Sequence, residues 1–179
     1  LIYCNRNRNW FKVNWLLYNI KLRYEPSKKT LHTFNLFALD AERYALGYRS
    51  NRVAQEDPMQ ERDLIHGDFN NFGADYKILI KRKIKSIRTA SLLGVKLYKS
   101  NNKSQQGAGS ANSDADFNFY NQNFPDYKNQ SLYKYPNLNI ALFGENIFYI
   151  NNKLSITPGF RYEHIETRSN GQYSNMLFD

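Results

Sequence analysis

The sequence predicts an all-β chain, namely part of an antiparallel transmembrane β-barrel, about seven strands of a larger ring. Three observations predict it. Apolar and polar residues alternate with period two along several stretches, the signature of a sheet with two unlike faces. The alternating runs reach the roughly 9 to 11 tilted residues that a membrane-spanning strand needs, where strands in soluble sheets average about 5 to 6. Short and long connections also sort onto opposite ends of the strands, as in membrane barrels.

The clearest stretch is Leu138 to Ile165, two strands joined by a tight turn at Asn151 and Asn152. On the second strand Leu154, Ile156, Pro158, Phe160 and Tyr162 share one face, and Ser155, Thr157, Gly159, Arg161 and Glu163 the other. The first strand sets Leu138, Ile140, Leu142, Phe148 and Ile150 against Asn139, Ala141, Phe143, Glu145 and Tyr149. Alternation alone fits either a sandwich, with the oily face inward, or a barrel, with that face toward lipid. Phe148, Tyr149, Phe160 and Tyr162 suit interfacial girdles, although aromatics are also ordinary strand formers.

Along the chain, Leu1 to Asn5 reads as the end of a strand, followed by a polar crossing through Trp10. Asn14 to Tyr24 alternates strongly, with Leu16, Tyr18, Ile20, Leu22 and Tyr24 opposing Asn19, Lys21 and Arg23. Glu25 to Lys29 is a turn, because Pro26 fixes φ and lacks a ladder donor. Leu31 to Tyr48 has the Ala, Leu and Glu content of a helix, with Gly47 as a possible terminator. A strand is expected there nonetheless, because only then do the strand directions alternate. Asn51 to Gly67 becomes a long loop, Phe69 to Ile80 a strand, Lys81 to Ser86 a turn, Ile87 to Tyr98 a strand, and Lys99 to Pro136 a second long loop. Tyr173 to Phe178 starts an eighth strand.

No apolar run approaches the roughly 20 residues of a membrane helix, and the mean hydropathy of -0.71 is compatible with alternating strands and polar loops. The net charge of +9 and the 16% aromatic content support a second reading, a soluble basic β-domain that binds nucleic acid or an acidic glycan. Its best stretch is Lys77 to Arg88, KILIKRKIKSIR; in a barrel the same cations gather around a turn. The lone Cys4 has no internal disulfide partner.

Few residues suggest chemistry. The GxG within Lys103 to Asn118 lacks the strand and helix of a nucleotide fingerprint. Asp114 and Asp116 have the spacing of calcium ligands without the rest of an EF-hand loop. His32, His66 and His164 form no zinc spacing. Neither a metal nor another cofactor is expected, nor catalysis, since no nucleophile and base are paired. Glu145 in mid-strand must face water or a partner. With Arg161, Glu163 and Lys96 it is expected to face the lumen, and Lys103, Gln106, Asp114 and Asp116 are expected in a loop that orders around a ligand.

The hairpin NIALFGENIFYINNKLSITPGFRYEHIET (Asn139 to Thr167) resembles that of TonB-dependent outer-membrane receptors, in the group related to ferric-dicitrate receptors. ERDL (Glu61 to Leu64), NFG (Asn71 to Gly73) and QGAGSANSDADF (Gln106 to Phe117) add to the resemblance. It implies that residues 1 to 179 are an internal part of the receptor barrel, without the plug domain, TonB box or closing strands. It further implies a place in the outer membrane of a Gram-negative bacterium and uptake of an iron chelate, such as a siderophore or ferric citrate. The implied partners are that ligand, outer-membrane lipid and lipopolysaccharide, and TonB acting through the plug, with no nucleic acid.

Overall fold

The computed structural model describes residues 7–48, 55–120, 130–173 and 176–178. The Leu1 to Asn5 strand and Cys4 lie outside them. The described residues form one antiparallel sheet and no helix. Its strands are β1 (Trp10–Ser27), β2 (Thr30–Gly47), β3 (Asp63–Ile84), β4 (Ile87–Ala108), β5 (Ser131–Tyr149), β6 (Ser155–Ile156), β7 (Gly159–Thr167), β8 (Asn170–Tyr173) and β9 (Met176–Phe178). β1 to β5 pair in sequence order, β6 and β7 both pair with the same side of β5, and β8 pairs with its far end. The sheet is open, with β1 at an edge.

Leu31 to Tyr48 is a strand despite its helix-forming composition. Each of its residues from Thr30 to Gly47 is matched on β3, and Trp10 to Tyr24 match it on β1. Pairing on both sides outweighs propensity, which differs by less than about 1 kcal/mol per residue between ordinary residues.

β1, β3, β4 and β5 run further than the alternation predicts, whereas the single strand expected around Leu154 to Ile165 is broken into β6 and β7 at Thr157 and Pro158. β3 and β4 have 22 residues each and meet at a two-residue turn, Lys85 and Ser86, in place of the longer Lys81 to Ser86 turn. Lys85 takes a φ of 54° there, the left-handed region that tight hairpin turns require. At the other end β4 continues through Lys103 and Gln106, and β3 begins before Gly67, so both long loops are shorter than expected. Pairing persists here because a ladder needs partners for its N–H and C=O groups, not an oily face. Pro26 sits in β1 where the register shifts between Tyr24 and Ser27, as expected for a residue that cannot donate. Pro158 likewise separates β6 from β7. The hairpin between β5 and β6 turns over Ile150 to Leu154, wider than two residues. The Asn151 carboxamide oxygen accepts from the amides of Lys153 and Leu154, at 2.8 and 2.9 Å.

Register assigns the faces. On one face the cross-strand rows read Tyr24, His32, Ile78, Leu93, Gly144, Phe160; then Leu22, Phe34, Tyr76, Val95, Leu142, Tyr162; then Ile20, Leu36, Ala74, Leu97, Ile140, His164. This apolar band is uncovered: Leu93 is 48% exposed, Leu142 50% and Tyr162 70%. Tyr24, His32 and Tyr76 form a ring chain along its turn end, with a 2.7 Å hydrogen bond between His32 Nδ1 and the Tyr76 hydroxyl. Among the described residues the buried apolar side chains are Ala41, Leu46, Leu64, Ala108 and Ala141. A single sheet with no second layer buries little else.

Candidate functional site

Charged side chains occupy the opposite face. One row reads Lys21, Asn35, Asp75, Lys96, Ala141, Glu163, and the next toward the turns reads Arg23, Thr33, Lys77, Gly94, Phe143, Arg161. Lys96 and Glu163 therefore flank Ala141, which is fully buried between them. Arg161 pairs with Glu163, and Asp75 pairs with Lys77 at 2.9 Å while accepting from the Asn35 amide at 3.3 Å.

Two rings lie flat in this face because glycine stands opposite each. A Cβ on Gly73 would come within 2.2 Å of the Phe37 ring, and one on Gly94 within 2.3 Å of the Phe143 ring. Each ring carries a cation, Lys96 Nζ 5.6 Å from Phe37 and the Arg161 guanidinium 5.4 Å from Phe143, the geometry in which a ring face attracts positive charge. Aromatic surface and fixed charge thus repeat side by side, an arrangement suited to binding a polar solute with apolar faces.

The four residues expected on this face are all on it, but they form no single network. Lys96, Arg161 and Glu163 lie together. Glu145, opposite Leu92 and Gly159, is exposed and makes no ion pair among the described residues.

The expected loop residues separate. Lys103 and Gln106 belong to β4 and point to opposite faces; Lys103 lies opposite Asp68 on one side and Lys134 on the other. Asp114 and Asp116 do lie in the connection after β4. Asp116 caps the amide of Asn118 at 3.1 Å, and Asp114 is bound through its carbonyl oxygen to Arg62 at 2.8 Å. Among the described residues no group of three or more His, Cys, Asp or Glu is placed to hold a metal ion.

Two buried arginines hold that connection against the strand ends. Arg62, fully buried, donates to the carbonyl oxygens of Ser110 (2.8 Å), Arg8 (2.9 Å) and Asp114, and to the Ser110 hydroxyl at 3.1 Å. Arg8, 1% exposed, forms a two-pronged pair with Asp57 and donates to the carbonyl oxygen of Gln60 at 3.1 Å. The Trp10 indole donates to the carbonyl oxygen of Ser113 at 2.9 Å. Leu46 and Leu64 are sealed beneath, with Gly109 close against Leu46. Hydrogen bonding to Arg8 holds the Asp57 carboxyl below the usual carboxylate range, and the same bond raises Arg8. Burial, and then repulsion from Arg8, lower Arg62.

Phe117 continues the cap on the side of the apolar band. It lies 5.5 Å from the Tyr44 ring, which stacks on His66 at 4.2 Å. Sequence reasoning missed both arginines. Arg62 sits inside the ERDL segment, where the resemblance gave it no role, and Arg8 lies in the stretch read as a polar crossing. No local pattern announces a contact between residues 103 positions apart. Compared with known proteins, the chain matches no family model and no curated sequence.

Proposed function

We propose that this chain is a wall segment of a β-barrel in the outer membrane of a Gram-negative bacterium, of the TonB-dependent receptor kind, taking up an iron chelate. The observation that carries the membrane reading is the uncovered apolar band. Its spanning stretches, such as Phe72 to Ile80 on β3, have the length that lipid requires. An uncovered apolar surface spread over six neighbouring strand segments is the kind of contiguous patch that marks a membrane or partner surface. Tyr24 and His32, toward the turn end of the band, suit an interfacial girdle, and the tight turns share one edge.

The receptor and ligand readings draw on the Asn139 to Thr167 hairpin and on the charged face. Lys29, Lys81, Lys83 and Arg88 line a cleft of about 490 Å³ at the turn edge with no carboxylate among its walls, which favours an anionic solute. In the intact receptor, a Lys96→Glu change is expected to depress uptake of radiolabelled ferric citrate while leaving surface levels unchanged. Normal uptake overturns the role of this face.

Nitroxide labels test the membrane reading. On a Cys4→Ser background, labels at Leu93 and Leu142 in vesicles are expected to meet dissolved oxygen, and labels at Asn35 and Lys96 a water-soluble nickel complex. A chain that dissolves without detergent and binds polyanions with steep salt dependence overturns the barrel and favours the basic-domain reading.

A further inference from the structure

Building on the membrane reading, we propose that the turn end of the apolar face carries a groove for a phosphate-headed lipid, with Arg82 taking the phosphate and the groove an acyl chain. Continuing only in scattered residues such as Ile80 and Phe148, the band thins past the row Ile78, Leu93, Gly144, Phe160. Just beyond it, on the same face, stand three polar side chains, Arg82, Ser91 and Asn146. Arg82 donates to the Ser91 hydroxyl at 3.4 Å, Ser91 donates to the Asn146 carboxamide oxygen, and the backbone N–H of Asn146 donates to the carbonyl oxygen of Pro158 at 2.9 Å.

These groups border a groove of about 520 Å³ walled by Leu93, Phe148 and Phe160. Two sequence features shape it. Gly144 has no side chain, so Leu93 and Phe160 converge over it; a Cβ there would come within 2.7 and 2.9 Å of them. Pro158 interrupts the strand that would otherwise continue from β6 into β7. Glu145 borders the groove too, but its side chain belongs to the charged face by register.

A guanidinium at the rim of an apolar surface is costly unless an anion meets it. Arg82 has no carboxylate partner among the described residues. The forked donors of arginine match phosphate oxygens, and the hydroxyl and carboxamide beside it extend the polar end. A cation at one end and a walled apolar channel at the other describe an amphiphile, and in a bilayer that amphiphile is a phospholipid of the leaflet facing the turns.

Native mass spectrometry of the intact receptor refolded in detergent tests this, with phosphatidylglycerol and a phosphate-free diacylglycerol supplied together. Wild type is expected to retain phosphatidylglycerol with about tenfold preference. Arg82→Gln should abolish the preference, and Ser91→Phe should lower retention of both lipids by filling the groove. Glycerol phosphate should not displace the retained lipid; equal potency would remove any role for the groove. The oxygen accessibility of a label at Leu142 reports membrane insertion separately. A chain that inserts but shows the same lipid selectivity with and without Arg82 overturns the lipid site alone. An intact receptor that fails to insert removes the membrane reading and this site with it.

Discussion

The guanidinium of Arg8 holds the carboxylate of Asp57 through two hydrogen bonds, of 2.6 and 2.7 Å, across 49 residues of chain. Arg8 also supplies the carbonyl oxygen that Arg62 binds, so one pair joins three segments. Asp57→Ala leaves a buried cation without its acid, at a cost of about 2 to 3 kcal/mol. Limited proteolysis between Ala111 and Asp116 is expected to quicken about 30-fold. An unchanged cleavage rate would mean that the connection is held by something else.

Acid should release the same cap. The folded Asp57 carboxyl titrates below its ordinary value because Arg8 donates to it. Its stabilisation is therefore complete above the unfolded pKa of about 3.9 and lost as pH falls through the lower folded value. Arg8 is shifted upward and stays charged throughout. Trp10, bound to Ser113, reports the change in a Trp15→Phe background: its emission should move to the red only below about pH 4. Asp57→Asn should remove the transition.

Gly73 and Phe37 are coupled by shape. Gly73→Val drives a side chain into the ring and is expected to destabilise by about 1 to 3 kcal/mol. On a Phe37→Ala background the same change should cost far less. Urea unfolding in vesicles gives the four corners of the cycle, and additive values would sink the claim of coupling.

Lys85 holds a positive φ in the β3–β4 turn. Glycine populates that region without a Cβ penalty, so Lys85→Gly is expected to raise stability by about 1 kcal/mol. A lower unfolding midpoint would contradict this.

Depth in the bilayer should govern charge tolerance. Leu142→Arg, in the middle row of the band, is expected to cost about 2 to 4 kcal/mol in lipid. Asn35→Arg, on the charged face, should cost only about 1 kcal/mol, the hydrogen bond to Asp75 that it loses. Equal costs for the two would mean that lipid does not touch the band.

The sheet, its strand order and both faces were legible because the apolar residues of Asn14 to Tyr24, Phe69 to Ile80 and Leu138 to Ile165 keep period two. The full lengths of β3 and β4 were not. Beyond the band, Asp68, Asn70, Asn101 and Lys103 are polar on the face that was apolar before, so alternation stops while pairing continues. Lys96, Arg161 and Glu163 could be assigned to one face by counting. Their partners could not, since Ala141 and Phe143 separate them only once the register is known. The Arg8 and Arg62 cap depends on chain segments that meet only after folding.

The hairpin of β3 and β4 is 22 residues long on each arm, about 73 Å at the usual rise per residue. At the tilt of about 45° that the proposed barrel would give it, it would still stand roughly 50 Å tall, against a hydrocarbon thickness of about 30 Å. In the proposed membrane setting some 20 Å of hydrogen-bonded ladder would stand outside the oil, and the end away from the turn is braced by two arginines. A solute approaching from that side would meet a stiff palisade well before it reached the plane of the lipid.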